Sequence, residues 1–419
     1  MQTELSQFTA VIGIDWADKK HDVCVHDTAT GRRRASQVRH RAEDLDEWSR
    51  SLHRRFGGVI AIAVELSKGP IINVLQKYDF FVLYPIDPST LAHHRKTFTP
   101  SGAKDDPTDA ELALDLLFKH TEHFQPLNPQ SVEMRTLMTL VEHRRKLMND
   151  RVRTTNRLRN ALKQYYPQPL EWFDHIDTVL FCDFIRRWPS LPQAKRARRA
   201  TLEKFFREHN MNRKALLERR IEAIKSAMPL TEDQAVVVSY RLQVLSLVAQ
   251  LEVALESIRS YDEEIASLAP QHPDHVLFDA LPGAGPSLAP RLMVGFGEQR
   301  ERFANAAEVQ KCTGIAPVTE RSGQSTWVHW RWQCPTFLRQ TFVEWAAQTI
   351  NKSYWAGLYY HQQRAKGCSH QAAVRALAFK WIASSIDVGK PEHRTTKQGI
   401  LKLYRNVDRP CSKWQKLLD

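Results

Sequence analysis

The order of strand and helix signals in the first part of the chain constrains the fold more than any other feature. Apolar runs separated by turn residues predict two hairpins, and so three antiparallel strands, within residues 11–40. A helix over 43–56 follows, then the buried strand VIAIAVE, a helix over 70–78 and the strand FFVLYPID. We therefore expect a mixed sheet of order βββαβαβα, in which the first strand and VIAIAVE are parallel neighbours.

The rest of the chain has helical patterns. From about Ser131 an apolar stripe on an arginine-rich helix predicts a strongly basic rod. A second long helix is predicted to open at Thr231, with Gln234 completing a capping box. Its apolar residues alternate by three and four, which predicts a coiled-coil seam that ends at Pro270 and Pro273.

Together these patterns give the fold class α/β plus all-α. We expect a ribonuclease H-like mixed-sheet domain, a helical coiled-coil middle and a mostly helical carboxyl-terminal domain. The predicted domains are 1–125, 126–272 with an insertion at about 167–228, 273–388 with a polar loop VTERSGQST, and a basic tail at 389–419.

An excess of basic residues points to the class of partner. The chain has 60 Lys and Arg against 47 Asp and Glu, a formal net charge of +13. Basic side chains placed at phosphates release condensed counterions, so nucleic acid is the leading candidate. The amino terminus lacks a signal-peptide pattern and the apolar runs are short, so we expect a cytoplasmic protein with no membrane partner. Six scattered cysteines without a CxxC pair predict free thiols.

Candidate nucleic-acid contacts lie in a glycine turn and on basic helices. Gly283 and Gly285 in LPGAGP resemble a helix-hairpin-helix turn, whose small residues let backbone N–H groups approach a phosphate. A tight turn between helices explains the same glycines without a ligand. A group of aromatic residues could stack on unpaired bases, although large aromatics are mostly core residues; its members are Trp327, Trp330, Trp332, Trp345, Trp355, Tyr359 and Tyr360. The basic candidates, for which a solvated helix face is the alternative, are Arg144, Arg145, Arg151, Arg153, Lys195, Arg196, Arg198 and Arg199.

Four carboxylates in the first domain stand out by position. Asp15 ends the first strand and Glu65 ends VIAIAVE, so both should lie at one carboxyl edge of the sheet. Two carboxylates held close need cations, and oxygen ligands suit Mg²⁺. Asp106 and Asp109 have two explanations. They fit the N-cap and N3 positions of a helix that begins at Pro107, and they also fit acids that project towards the same edge.

These residues carry a family resemblance. The four acids, in the contexts GIDWADKKHDV, VELSKG and KDDPTDAELALDLL, resemble the DEDD signature of bacterial insertion-sequence transposases with a RuvC-like amino-terminal domain, relatives of the Piv-type DNA invertases. The block LPGAGPSLAPRLMVGFG followed by TGIAPVTERSGQ is similar to the second transposase domain of that family. The resemblance covers roughly residues 8–120 and 275–385.

The resemblance implies a mechanism and a set of partners. The four acids would bind Mg²⁺ or Mn²⁺, and Ser322 would be the nucleophile that forms a covalent phosphoserine link to DNA. Glu320 and Arg321 depart from the small residues usual before this serine, which leaves Ser325 as an alternative nucleophile. The expected partners are element-end and target DNA, a structured guide RNA encoded by the element, and further copies of the chain in a dimer or tetramer. Such a bacterial enzyme would be nucleoid-associated.

Two other functions fit the same residues. A RuvC-like, metal-dependent, structure-specific nuclease would use metal-activated water, leaving Ser322 incidental and the cut ends free of protein. A catalytically inactive nucleic-acid-binding module would use its acids only as caps and ion-pair partners. In that case Asp15→Ala would leave binding intact.

Overall fold

A mixed five-stranded sheet forms the centre of the first unit of the chain. The computed structural model describes residues 7–65, 67–98 and 106–385, and the chain divides into two units, 1–129 and 130–419. In the first unit the spatial strand order is β3-β2-β1-β4-β5. β1 pairs antiparallel with β2 and parallel with β4, as the sequence predicts. The strands are β1 Ala10–Asp15, β2 Lys20–Asp27, β3 Arg33–Arg39, β4 Ile60–Val64 and β5 Phe81–Pro85.

Helices cover both faces of this sheet. α1 (Ala42–Phe56) and α2 (Pro70–Leu75) pack on one face, against the side of β1 that carries Ile12 and Ile14. α3 (Pro88–Phe98) and α4 (Asp106–Lys119) pack on the other face, against Val11 of β1 and Ala63 of β4. Successive side chains of a strand point to opposite faces, so β1 separates two apolar clusters. The helix predicted at 70–78 is shorter than expected and ends at Leu75.

Two long helices run through the second unit. The serine hydroxyl of Ser131 caps the first helix by accepting from the Met134 N–H. The second helix begins at Gln234 with Asp233 as its N-cap, so the predicted capping box at Thr231 is wrong. The Thr231 hydroxyl instead accepts from the Asp233 N–H. The two helices are α5 (Val132–Tyr165) and α11 (Gln234–Leu268), with α6 Pro169–Trp172, α7 Val179–Arg187, α8 Leu191–Arg196, α9 Arg199–Glu208 and α10 Lys214–Ser226 between them.

The apolar seam of α11 is buried within its own chain. Val244 and Leu251 pack with α5 and the helices of the insertion, and Ile265 packs with the carboxyl-terminal helices. The seam therefore does not itself argue for an oligomer. The stretch Gln234–Gln271 is long and apolar enough to cross a bilayer by length and composition, although the sequence predicted no such stretch. Core helices of soluble proteins meet the same criterion.

The insertion at 167–228 forms a helical subdomain with an aromatic core. Phe181, Phe184 and Phe206 are fully buried there, together with Tyr166 at the end of α5. No fold was predicted for this segment from its sequence pattern. Aromatic rings in edge-to-face and tilted contact supply its large buried apolar area.

Between residues 275 and 385, the carboxyl-terminal part of the second unit consists of helices and one hairpin. Trp345 and Trp381 lie in contact at the centre of its core. The segment predicted as a polar loop is a two-stranded hairpin, because β-branched and aromatic residues flank the turn at Gly323, whose φ is +58°. The elements are α12 His275–Asp279, α13 Gly285–Phe296, α14 Ala306–Cys312, β6 Val318–Ser322, β7 Ser325–His329, α15 Thr336–Thr349, α16 Tyr354–Ala365 and α17 His370–Ser385. The predicted basic tail lies outside the described residues.

Candidate functional site

Two predicted acids lie at neighbouring strand ends in the first unit. Ile14 of β1 is paired in parallel register with Val64 of β4. Asp15 follows Ile14 and Glu65 follows Val64, so the backbones of the two acids lie side by side at the carboxyl edge of the sheet. Both side chains are half-buried. The expected juxtaposition of these strand ends is confirmed.

A third predicted acid reaches the same sheet face from α4. A Cβ added to Gly13 would lie 1.9 Å from the carbonyl oxygen of Ala110, so α4 crosses β1 at closest approach there. Asp15 shares the face of Gly13, because residues two apart in a strand point the same way. Asp109 directly precedes Ala110 and is 2% exposed. Because Gly13 has no side chain, α4 packs closely on β1, and this places Asp109 near the strand that ends in Asp15.

Asp109 has a cationic partner that the sequence analysis missed. Arg95 of α3 donates from Nε and Nη2 to the two Asp109 carboxylate oxygens, each at 2.6 Å. This bidentate geometry is the strong form of an arginine–carboxylate pair. Arg95 thus neutralises the most buried of the three acids whose side chains the structure describes, and no local sequence signal links Arg95 to Asp109.

The fourth predicted acid, Asp106, is only partly described. The backbone of α4 begins at Asp106, one residue before the predicted first helical residue Pro107. The side chains of both residues lie outside the described residues. The choice between a capping role and a site role for Asp106 therefore stays a prediction.

A buried acid and a buried histidine of β2 also lie beside the strand end and were missed. Asp22 is directly opposite Asp15 in the β1–β2 register and accepts a hydrogen bond of 2.7 Å from the Gln37 side-chain amide. His21 points to the other face, where its two ring nitrogens contact the Ala17 N–H and the His40 ring. Burial first, and His40 second, lower the pKa of His21 to about 4, against the raising effect of Asp22. Aligning β1 with β2 in the hairpin that the sequence predicted would have placed Asp22 opposite Asp15, with His21 next to it.

The carboxyl edge of the sheet where Asp15, Glu65 and Asp109 lie is called the acid edge here. The donor atoms of these residues fit a hard divalent cation. Asp15, Glu65 and Asp109 offer only carboxylate oxygens, which Mg²⁺ and Mn²⁺ prefer. Among residues 7–65, 67–98 and 106–385, however, these acids do not form a three-ligand group with donor atoms within 4.8 Å of one another. Asp109 could bind a cation at this edge only if its carboxylate gave up the hydrogen bonds with Arg95.

Only one three-ligand group is present in the described part of the chain. It consists of His120, Glu122 and His123, all exposed, on the turn after α4. Its mixed nitrogen and oxygen donors suit borderline metals such as Zn²⁺ better than Mg²⁺. It includes none of the predicted metal ligands.

Ser322 lies in the second unit, at the tip of the β6–β7 hairpin. It is the last residue of β6 and faces Ser325, the first residue of β7, across a two-residue turn. Both serines are exposed. The structure therefore presents the predicted nucleophile and its alternative side by side, on a regular hairpin in place of an irregular loop.

The two glycines of LPGAGP differ in their surroundings. Both have positive φ; Gly283 lies in the connection from α12 to α13, and Gly285 is the first residue of α13. A Cβ on Gly283 would meet the Gln348 backbone at 3.0 Å, so close packing against α15 explains this glycine. Gly285 has open space around it and keeps room for a ligand.

Most basic candidates of the long helix are paired within the second unit. Arg144 binds Asp262 of α11, and Arg145 binds Gln340 and Glu344 of α15. These pairs hold α5 to its neighbours, a role that the charge pattern did not reveal. Arg151 pairs with Asp177, Arg153 with Asp150, Arg199 with Glu203, and Lys195 with the Ala227 carbonyl, while Arg196 and Arg198 are exposed.

Comparison with known proteins places the chain in a family. Residues 12–167 match the family DEDD_Tnp_IS110, described as a transposase, and residues 276–361 match the transposase family IS116/IS110/IS902. The IS117 mini-circle protein of Streptomyces coelicolor is 26% identical over 386 residues, which are 89% of this chain and 92% of that protein. The y4uE protein of Sinorhizobium fredii is 32% identical over 48% of this chain and 57% of its own length. The 43.6 kDa protein of insertion element IS110 from Streptomyces coelicolor is 28% identical over 68% of this chain and 70% of its own length.

The family matches coincide with the parts of the chain described above. The first match contains Asp15, Glu65 and Asp109, and the second contains the glycine turn and Ser322. Together the two matches cover more than half of the chain, in the order expected from the sequence motifs. The chain therefore belongs to the IS110/IS116 family of insertion-sequence DEDD transposases.

Proposed function

We propose that this transposase cuts and rejoins DNA strands through Ser322, with Asp15, Glu65, Asp106 and Asp109 as the ligands of Mg²⁺ or Mn²⁺. The observation that carries the proposal is the meeting of Asp15 and Glu65 at parallel strand ends on a sheet crossed by the helix of Asp109. A strand order of β3-β2-β1-β4-β5 supports a ribonuclease H/RuvC-like assignment for this domain. We assign 1–125 to it, 126–272 to the helical middle and 273–388 to the serine domain.

The proposed reaction at Ser322 is an exchange of phosphodiesters. The serine Oγ attacks a DNA phosphorus, an Oγ–P bond forms, and one P–O bond to the strand breaks. The serine proton ends on the departing oxygen, which becomes a free strand-end hydroxyl. Attack by a hydroxyl of another strand reverses the step and joins the new pair. Exposure of Ser322 at a hairpin tip supports this role, because a phosphate can reach it without the chain unfolding.

The acid edge would act on the charge of the same phosphate. A bound divalent cation would supply charge neutralisation there. Asp15 and Glu65 would hold it at the strand ends, and Arg95 would keep Asp109 paired until then. The acids and the serine, from one chain or from neighbouring chains, would act on one DNA strand.

DNA, RNA and further protomers complete the proposal. The net charge of +13 supports a polyanionic partner, and the exposed Arg196 and Arg198 are available to contact it. Element ends and target are the proposed DNA, and a structured guide RNA is the proposed selector. At least two protomers are proposed, because two DNA sites must be paired.

The test is an adduct assay on the full-length protein. Protein, candidate RNA, Mg²⁺ and labelled element-end DNA are incubated, and a denaturing gel is inspected for a protease-sensitive protein–DNA band. Ser322→Ala and Asp15→Asn should both abolish the band, whereas the matched control Ser325→Ala should retain it. Free cut ends that persist in Ser322→Ala would indicate the metal nuclease instead. Binding that survives in every variant with no strand cut would indicate the inactive module.

A further inference from the structure

The β6–β7 hairpin exposes a large aromatic ring beside Ser322. Trp327 is 59% exposed although tryptophan is normally mostly buried. An exposed large ring on regular backbone is a common mark of a binding surface. The proposed reaction at Ser322 does not yet use this residue.

Trp327 and Ser322 lie on the same face of the hairpin. Ser322 is opposite Ser325, and Glu320 is opposite Trp327 in the antiparallel register. Opposed residues share a face, and so do residues two apart in a strand. Trp327 is therefore the diagonal neighbour of Ser322, at a distance of about 7–8 Å for such a pair. That span is comparable with the separation of a base from the phosphate of an adjacent nucleotide.

The ring of Trp327 is held in place before any ligand binds. It stacks on the His329 ring, with centroids 4.2 Å apart and an interplanar angle of 28°. His329 is itself fixed, because its Nε2 contacts Glu320 Oε1 at 2.9 Å and its Nδ1 contacts the Trp330 carbonyl at 2.7 Å. A ring that is already oriented loses little conformational entropy on binding.

Charged groups of both signs lie around the hairpin. Glu320 is opposite Trp327 on the same face, whereas Arg321 is exposed next to Ser322 on the other face, and Arg339 and Arg375 lie over the ring of Trp330, just after β7. Burial and the neighbouring Arg339 lower the pKa of Arg375 to about 10, so it remains charged at neutral pH. An open ring face on Trp327 and guanidinium groups elsewhere in the same segment are the chemistry that binds single-stranded nucleic acid, with rings on bases and cations on phosphates.

We propose that Trp327 stacks on an unpaired base of the DNA strand whose phosphate is presented to Ser322. The hairpin then selects an unpaired strand over an intact duplex, in which base faces are covered by their neighbours. The inference rests on the proposed serine chemistry for its choice of DNA. Stacking is tolerant of base identity, so Trp327 positions the strand and leaves the choice of sequence to other groups.

The test measures strand binding separately from strand cutting. Full-length protein is titrated into a short fluorescein-labelled oligothymidine strand at fixed salt, with the corresponding duplex as the second probe. Trp327→Ala should weaken single-strand binding about 5- to 100-fold, Trp327→Phe should stay near the native affinity, and duplex binding should change little. The matched control is Tyr354→Ala, because Tyr354 is an aromatic residue that is 80% exposed but lies on α16 and not on the hairpin, and it should bind as the native protein does.

A crosslink supplies the direct readout and fixes the outcomes. A strand carrying 5-iodouracil, irradiated and digested, should yield a peptide crosslinked at Trp327. Native affinity in Trp327→Ala, equal weakening in Tyr354→Ala, or a crosslink elsewhere would overturn the inference. Weakening confined to an oligouridine RNA probe would also overturn it, in favour of RNA. Loss of binding in Trp327→Ala without any serine adduct in the native protein would instead retain the stacking and contradict the proposed cleavage.

Discussion

Replacement of Arg95 by methionine tests the electrostatic basis of the acid edge. Asp109 is 2% exposed, and both of its oxygens accept from Arg95, whose side chain is 19% exposed. Methionine keeps much of the apolar stem and removes the guanidinium. The carboxylate of Asp109 would then be buried without its cation.

The expected cost follows from this burial. Removing one partner of a buried ion pair costs about 3–5 kcal/mol, whereas an exposed pair is worth about 0–1 kcal/mol. Because Arg95 is partly exposed, water can replace some of the hydrogen bonds that Asp109 loses. We therefore expect a loss of unfolding free energy at the lower end of that range, about 3 kcal/mol. The double variant Arg95→Met/Asp109→Asn removes the stranded charge and should recover most of this loss.

Hydrogen exchange of α4 in the full chain measures the effect locally. The two units need not unfold together, so a single global transition is the wrong observable. A loss of about 3 kcal/mol should accelerate exchange of protected α4 amides by roughly 100-fold. The matched control is Arg50→Met, because the Arg50–Asp46 pair is exposed, and it should change exchange in α1 only about fivefold or less.

Divalent metal provides a second readout of the same variant. With Arg95 absent, Mg²⁺ becomes the available cation for Asp109, so Mg²⁺ should slow α4 exchange more in Arg95→Met than in the native protein. If Arg95→Met exchanges no faster than native, or if the double variant is as unstable as the single one, the ion pair does not hold this edge and the reasoning fails.

Three further predictions concern packing, pH and thiol reactivity. Gly13→Ala should lower the free energy of unfolding of the first unit by about 1–3 kcal/mol in denaturant titrations, since its Cβ would meet the Ala110 carbonyl at 1.9 Å; an unchanged midpoint would contradict this contact. The pKa of His21 is about 4 in the folded protein, below its unfolded value. Its contribution to the free energy of unfolding is therefore complete above pH 6.5 and is lost as the pH falls towards 4. His21→Gln should reduce the pH dependence of the free energy of unfolding in this range by up to about 3 kcal/mol. Burial raises the pKa of Cys182 to about 12, so mass spectrometry after alkylation at pH 8 should find Cys182 unmodified in folded protein and modified in urea.

Local sequence patterns predicted the strands of the first unit and most of its helices in their order, but not α3. Turn residues and apolar runs predicted the two hairpins and the later buried strands, because strand and turn preferences act over a few residues. From that order followed the parallel pairing of β1 with β4 and the meeting of Asp15 with Glu65. The start of the first long helix near Ser131 was predicted from the apolar stripe that follows it, because helical periodicity is also a local pattern.

The pairing of charged groups depends on how the helices pack in three dimensions. Arg95 and Asp109 meet across two helices, and Arg144 meets Asp262 although 118 residues separate them. No local pattern encodes such a pair, because it depends on how deeply packing buries each group and on which helix lies opposite. The N-cap at Asp233 was missed for a related reason, since several residues before that helix can cap it and packing selects one. Sequence periodicity fixes which face of an element is apolar, whereas the partner of a buried charge is fixed only when those faces have packed together.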